Sequence, residues 1–148
     1  MPPAVDRVFA WNGVGWDFAQ PGSALFSIDT IRSGQGMWIY LDGSLPVEWE
    51  QIRSPLESVV LTSGWQLATW PGPTSSAAVA IASTNASIVR LTGWSALDGA
   101  FRSFSPRIAE LPASETSPLQ LAELRHLDAV WVLVEGDGGQ WPVADVAP

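Results

Sequence analysis

The sequence predicts a mainly β fold: two pseudo-repeated antiparallel halves forming a sandwich or a barrel, with two or three short helices. Three observations carry that expectation. Short apolar and aromatic runs alternate with turn signals, as many short strands require. The 13 Gly and 12 Pro are spread along the chain and are not gathered into one linker. The last third also repeats the first. Trp11 matches Trp94 at an offset of 83, Met37–Leu41 matches residues 130–134 at 93, and Trp49 matches Trp141 at 92.

In chain order, Val8-Phe9-Ala10-Trp11 is the first strand. Asn12-Gly13 is a two-residue hairpin signal, and Trp16-Asp17-Phe18 returns from it to stop at Pro21-Gly22. Met37-Trp38-Ile39-Tyr40-Leu41 is the next strand, stopped by Asp42-Gly43. Residues 46–50 return with period-2 alternation, Val47 and Trp49 on one face and Glu48 and Glu50 on the other. Two central strands follow, Ser58-Val59-Val60-Leu61 and Gly64-Trp65-Gln66-Leu67-Ala68-Thr69-Trp70, ended by Pro71-Gly72-Pro73. Thr74-Ser75-Ser76 reads as an N-cap for a short helix over 77–83, preferred to a strand in which Val79 and Ile81 alternate with Ala.

The second copy opens with Ile88-Val89-Arg90-Leu91 leading to Trp94, and Phe101 and Phe104 lie on a return strand ending at Pro106. Leu119, Leu121, Leu124 and Leu127 predict a short helix, with Pro118 suited to its first turn. Phe26, Ile28 and Ile31 align with that stretch and give the first copy its own short helix. Residues 129–134 form the strongest strand. The loop Glu135-Gly136-Asp137-Gly138-Gly139 closes it, and Gln140-Trp141-Pro142-Val143 returns. The chain reads as one domain over 1–148: half one over 5–51, central strands and helix over 56–84, half two over 88–145. An insertion of about ten residues in the second copy falls in the Pro/Ser/Glu-rich loop at 110–117, where lengthening is cheap. The central segment has no counterpart ahead of the first half. Three arrangements account for this: the chain is cut from a longer repeat protein, the central strands complete both halves, or a neighbouring chain supplies the piece.

Composition narrows the chemistry. A chain of 148 residues, 47% hydrophobic and 15% charged, folds. Absent cysteine excludes a disulfide framework, a zinc finger and a thiol nucleophile. A net charge of −8, with all seven basic residues Arg, offers no basic face to a nucleic-acid backbone. The N-terminus lacks the pattern of a signal peptide, and the charge-free stretch after Gly64 is too rich in Ser, Thr, Pro and Gly to insert into a membrane. His126 has no nucleophile motif near it and reads as a surface histidine. Glu48 and Glu50 have the spacing of paired carboxylates but read as the solvated face of a strand. The loop at 135–139 lacks the ligand count of a calcium loop. No catalytic residue, metal site or cofactor follows from the sequence.

The nine Trp remain. Six fall into matched pairs, Trp11/Trp94, Trp38/Trp131 and Trp49/Trp141, and read as duplicated core. Trp16, Tyr40, Trp65 and Trp70 are the candidate ligand-binding aromatics; Trp65 and Trp70, five apart in a strand, point to opposite faces. Gly64-Trp65-Gln66-Leu67-Ala68-Thr69-Trp70-Pro71-Gly72, followed by a short helix, a Trp-bearing strand pair and Gly34-Gln35-Gly36-Met37-Trp38-Ile39, resembles the Trp-rich repeat module of bacterial surface and secreted proteins. In the second copy Leu127 and Ala129 replace the Gly pair of that module. The resemblance covers nearly the whole chain and carries no catalytic residue. It implies a non-catalytic extracellular or cell-surface module and names no ligand; carbohydrate, with a polysaccharide or other cell-surface component as partner, is the expectation raised by the Trp and Tyr rings, which can stack on sugars. Two alternatives stand beside it: a self-assembling structural unit of a surface or particle layer, acting as a homo-oligomer, and a small β-barrel enzyme with an apolar cavity.

Overall fold

The computed structural model describes residues 4–24, 27–43, 58–95, 97–106 and 120–143. The strand over 46–50 with Glu48, Trp49 and Glu50, the stretch at Pro118 and Leu119, and the insertion at 110–117 lie outside them. The described residues form eleven short strands and one helix: β1 (Val5–Trp11), β2 (Trp16–Ala19), β3 (Met37–Leu41), β4 (Ser58–Leu61), β5 (Gly64–Thr69), β6 (Ser75–Ser76), α1 (Ala77–Ala82), β7 (Ile88–Ser95), β8 (Ala100–Phe104), β9 (Glu123–Leu124), β10 (Ala129–Val134) and β11 (Gly139–Pro142). They make a three-stranded sheet, β2-β1-β3, a four-stranded sheet, β5-β10-β7-β8, and two ribbons, β11-β4 and β6-β9. All these ladders are antiparallel and none of the sheets closes on itself, so the barrel alternative is not met among the described strands. No described helix is long and apolar enough to cross a membrane.

Strand registers recur between the two larger sheets. Arg7, Val8, Phe9 and Ala10 face Tyr40, Ile39, Trp38 and Met37. Arg90, Leu91, Thr92 and Gly93 face Leu133, Val132, Trp131 and Val130. The second set is the first moved by 83 residues on one strand and 93 on the other. Each ladder carries a one-residue irregularity in the same place, between Val5 and Arg7 and between Ile88 and Arg90. The hairpin partners match too: Trp11 faces Trp16, and Trp94 faces Phe101.

The main core lies on one face of the four-stranded sheet. Val130, Val132 and Val134 alternate inward along β10 and pack with Leu91, Val59, Leu61 and Leu124. The helix closes this core because its inner residues are small. Ala77 and Ala80 are fully buried, and the Ala80 carbonyl accepts from Trp141 Nε1 at 2.8 Å. Ser76 is the N-cap, its hydroxyl accepting from the Val79 amide at 3.3 Å. The helix predicted over 77–83 therefore forms, one residue shorter at its end.

Three expectations are corrected. Residues 27–33 contain no helix. Leu121 and Leu124 are extended, because the Leu121 amide donates to Ser103 O at 2.9 Å, the Ala77 amide donates to Ala122 O at 3.1 Å, and β9 pairs with β6. These are long-range partners that a three-residue spacing does not reveal. The Asn12-Gly13 turn is a four-residue loop rather than a two-residue one. The Asn12 side chain accepts from the amides of Val14 at 3.0 Å and Gly15 at 2.8 Å, so it organises two further residues before pairing resumes at Trp16.

Candidate functional site

Opposite the main core, the four-stranded sheet presents Trp131, Trp65 and Trp94, because residues alternate between faces and Val130, Val132 and Val134 take the inner one. The three-stranded sheet turns Trp11, Trp16 and Trp38 toward them. Trp131 lies edge-on to both Trp11 and Trp16, with centroids 5.4 and 5.6 Å away. Trp38 lies in the same way against Trp94 and Phe101, at 6.2 and 6.0 Å. Within the hairpins, Trp11–Trp16 and Trp94–Phe101 are 5.5 and 5.0 Å apart. Every one of these contacts is edge-to-face, which suits the ring quadrupole. The result is a seam of rings in which Trp131 fills at one end the place Trp38 fills at the other.

One end of the seam opens. Trp65 on β5 approaches Trp131 at 6.5 Å. Trp11, Trp65, Thr92 and Trp131 line an apolar cleft of about 360 Å³. Trp11 is shared with a second, more polar cleft of about 770 Å³, to which Asn12, Asp17, Asp29, Gln35 and Gln66 contribute. Two residues that line this second cleft carry buried donors with no hydrogen-bond partner, Trp11 Nε1 and Gln66 Nε2, Gln66 from the face of β5 opposite Trp65. The Gln66 carbonyl oxygen is held by the Thr62 amide at 3.1 Å and hydroxyl at 2.9 Å, which fixes the amide group and leaves its NH₂ unpartnered. An orphan buried donor costs about 1–3 kcal/mol, and a ligand oxygen would remove that cost. At the other end of the seam Asp98 caps the β7–β8 hairpin. The Ser95 hydroxyl, and then the Arg102 guanidinium at 2.7 Å, hold its carboxyl below the ordinary range.

Trp16 and Trp65 are 44% and 41% exposed and belong to the open end of the seam. Tyr40, 66% exposed, stands apart from the clefts with the Arg7 guanidinium 5.8 Å above its ring. Trp70 is 3% exposed. It packs edge-on to Trp141 at 5.3 Å and donates to Pro73 O at 2.9 Å, so it has no open face to offer a ligand. Trp65 and Trp70 do point to opposite faces. Sequence reasoning assigned Trp11 and Trp131 to the core because each has a repeat mate, yet they form the floor of the open end. Their positions as hairpin-flanking and strand-alternating residues were the available signal. Asn12, Asp17, Gln35 and Gln66 were missed.

No family model, curated protein or solved structure matches the chain.

Among the described residues no cluster of His, Asp and Glu could hold a metal ion. His126 is a surface residue whose Nδ1 lies 3.0 Å from Gly72 O. The arrangement combines aromatic surface, unpartnered donors and a polar rim, which are the elements of recognition.

Proposed function

We propose that the chain is a non-catalytic binding module of an exported bacterial protein, built from two related halves, and that it binds a neutral carbohydrate at the open end of the aromatic seam. The observation that carries this reading is the junction at Trp11. There the half-exposed rings of Trp16 and Trp65 stand beside Trp11, whose Nε1 is buried and unpartnered, and the adjoining polar cleft, which Trp11 also lines, holds the unpartnered amide NH₂ of Gln66. Aromatic surface suits the C–H faces of a sugar ring, and the unpartnered N–H groups suit its hydroxyl and ring oxygens. A net charge of −8 disfavours an anionic polymer. The duplicated registers of β1/β3 and β7/β10, with their shared irregularity, support the two-halves reading.

The test is a titration of neutral oligosaccharides, hexose and N-acetylhexosamine series included, followed by calorimetry and tryptophan fluorescence. Binding should quench or shift the indole emission. Trp65→Ala should weaken it on the order of tenfold or more, since a buried aromatic contact contributes about 1–3 kcal/mol. Trp65 is half-exposed, so the variant should keep its fold by circular dichroism. Absence of any binding up to millimolar sugar overturns the carbohydrate assignment.

A further inference from the structure

The two edges of β3 differ. The Gly36 amide donates to Leu67 O, and the Asp42 amide donates to Ala4 O at 2.9 Å. Residues an even number apart in a regular strand direct their amides to the same edge. The even-numbered positions of this strand therefore serve β5 at its start and β1 along its length. The opposite edge carries the N–H and C=O groups of Met37, Ile39 and Leu41, and no described strand pairs with it. Beside it Ile39, Tyr40 and Leu41 are exposed apolar or aromatic side chains. An edge of this kind is a template for another strand.

The matching strand of the second sheet shows what such an edge accepts. β10 has β7 on one side, in the register that β3 shares with β1, and β5 on the other. There Trp65 faces Leu133, Gln66 faces Val132, Leu67 faces Trp131 and Ala68 faces Val130. We propose that this edge of β3, which no described strand occupies, is a strand-addition site for a polypeptide strand of the Gly-Trp-x-Leu type, supplied by a further repeat of this kind. Moved by 93 residues, its register sets the incoming Trp opposite Tyr40, its Leu opposite Trp38 and its glycine opposite Leu41. The incoming Trp then covers Tyr40 and approaches Trp38 as Trp65 approaches Trp131. An intact second copy cannot lend its own β5. That strand is engaged by β10 on one edge and by Gln35 and its flanking glycines on the other. Main-chain hydrogen bonds supply the affinity and the alternate side chains the specificity. The pairing uses the two-halves reading and is independent of any sugar ligand.

The test measures amide hydrogen exchange of the full chain, alone and with a synthetic peptide of residues 58–73. Exchange at Ile39 and Leu41 should be fast in the chain alone and slow on the order of tenfold or more with the peptide. The Tyr40 amide and those of β10 should be unchanged. A peptide carrying Gln66→Pro, which lacks a ladder donor, should have no effect. In the full chain Ile39→Pro removes only the amide aimed at this edge, so the protein should fold and lose peptide binding. Three results overturn the proposal. Ile39 and Leu41 amides protected in the chain alone at all concentrations mean that the chain covers its own edge. Protection that rises with chain concentration means that a second copy is the occupant. Slowing confined to β10 means that the peptide exchanges with β5 instead.

Discussion

Leu127 sits at φ 69°, in the left-handed region. It is the third residue of a turn closed by the Asp128 amide donating to Arg125 O at 3.0 Å, and the Asp128 carboxylate accepts from the Arg125 amide at 2.8 Å. The same turn precedes β3. The Gln35 amide donates to Arg32 O at 3.1 Å, and the Gln35 side-chain oxygen accepts from the Arg32 amide at 3.1 Å. Its third residue is Gly34, with φ 80°. Positive φ at that place is the demand a type II turn makes, and glycine meets it without steric cost. Leucine there costs about 1–2 kcal/mol, and its half-exposed side chain recovers little by burial. Leu127→Gly should therefore stabilise the protein by about 1 kcal/mol, after the ~0.4–1 kcal/mol of chain entropy that glycine adds to the unfolded state. The check is a higher urea midpoint at an unchanged slope. A lower midpoint would mean that the packing of Leu127 outweighs its backbone strain.

At the scale of elements, the approach of the segment before β3 to β5 depends on Gly36. A Cβ built there would lie 2.6 Å from Leu67 Cγ and 3.2 Å from the Leu67 carbonyl carbon. Leu67 is buried and cannot swing aside freely. Gly36→Ala should cost about 1–3 kcal/mol, the range for overpacking. Gly15→Ala, with nothing near its added methyl, should stay within about 0.5 kcal/mol. Equal midpoints for the two variants would show that the junction yields. Local signals made several elements legible in the sequence. Ser76 ahead of an Ala-rich run marked α1, and apolar runs stopped by the turn residues Asp42-Gly43 and Gly136-Asp137-Gly138-Gly139 marked β3 and β10. The extended stretch at Leu121 to Leu124 was not legible. Its partners, Ser103 and Ala77, lie far away in the chain, and apolar residues three apart fit a helix as well as a strand bridged at both ends.

At the scale of the whole molecule, the site was half legible. Trp16 and Trp65 stood out as aromatics without a Trp mate in the repeat, whereas Trp11 and Trp131 were hidden by having one. Duplication marks the seam between two sheets as readily as a core, and only the facing of the sheets separates the two outcomes. That facing makes a quantitative prediction. Trp11 with Trp131 and Trp38 with Trp94 are equivalent contacts at the two ends of the seam, with ring centroids 5.4 and 6.2 Å apart. Double-mutant cycles to alanine, read by equilibrium denaturation, should give each pair a coupling of about 0.5–1.5 kcal/mol. Trp11 with Trp141, which packs instead on Trp70 in the main core, should be additive to within about 0.5 kcal/mol. The Trp38–Trp94 coupling should be the smaller of the two. Its rings are further apart, and Trp94 is nearly half exposed, so less of the contact is withdrawn from water. Coupling at one end and none at the other would mean that the seam is held from a single side, and that the likeness of its two ends is one of sequence and not of energy.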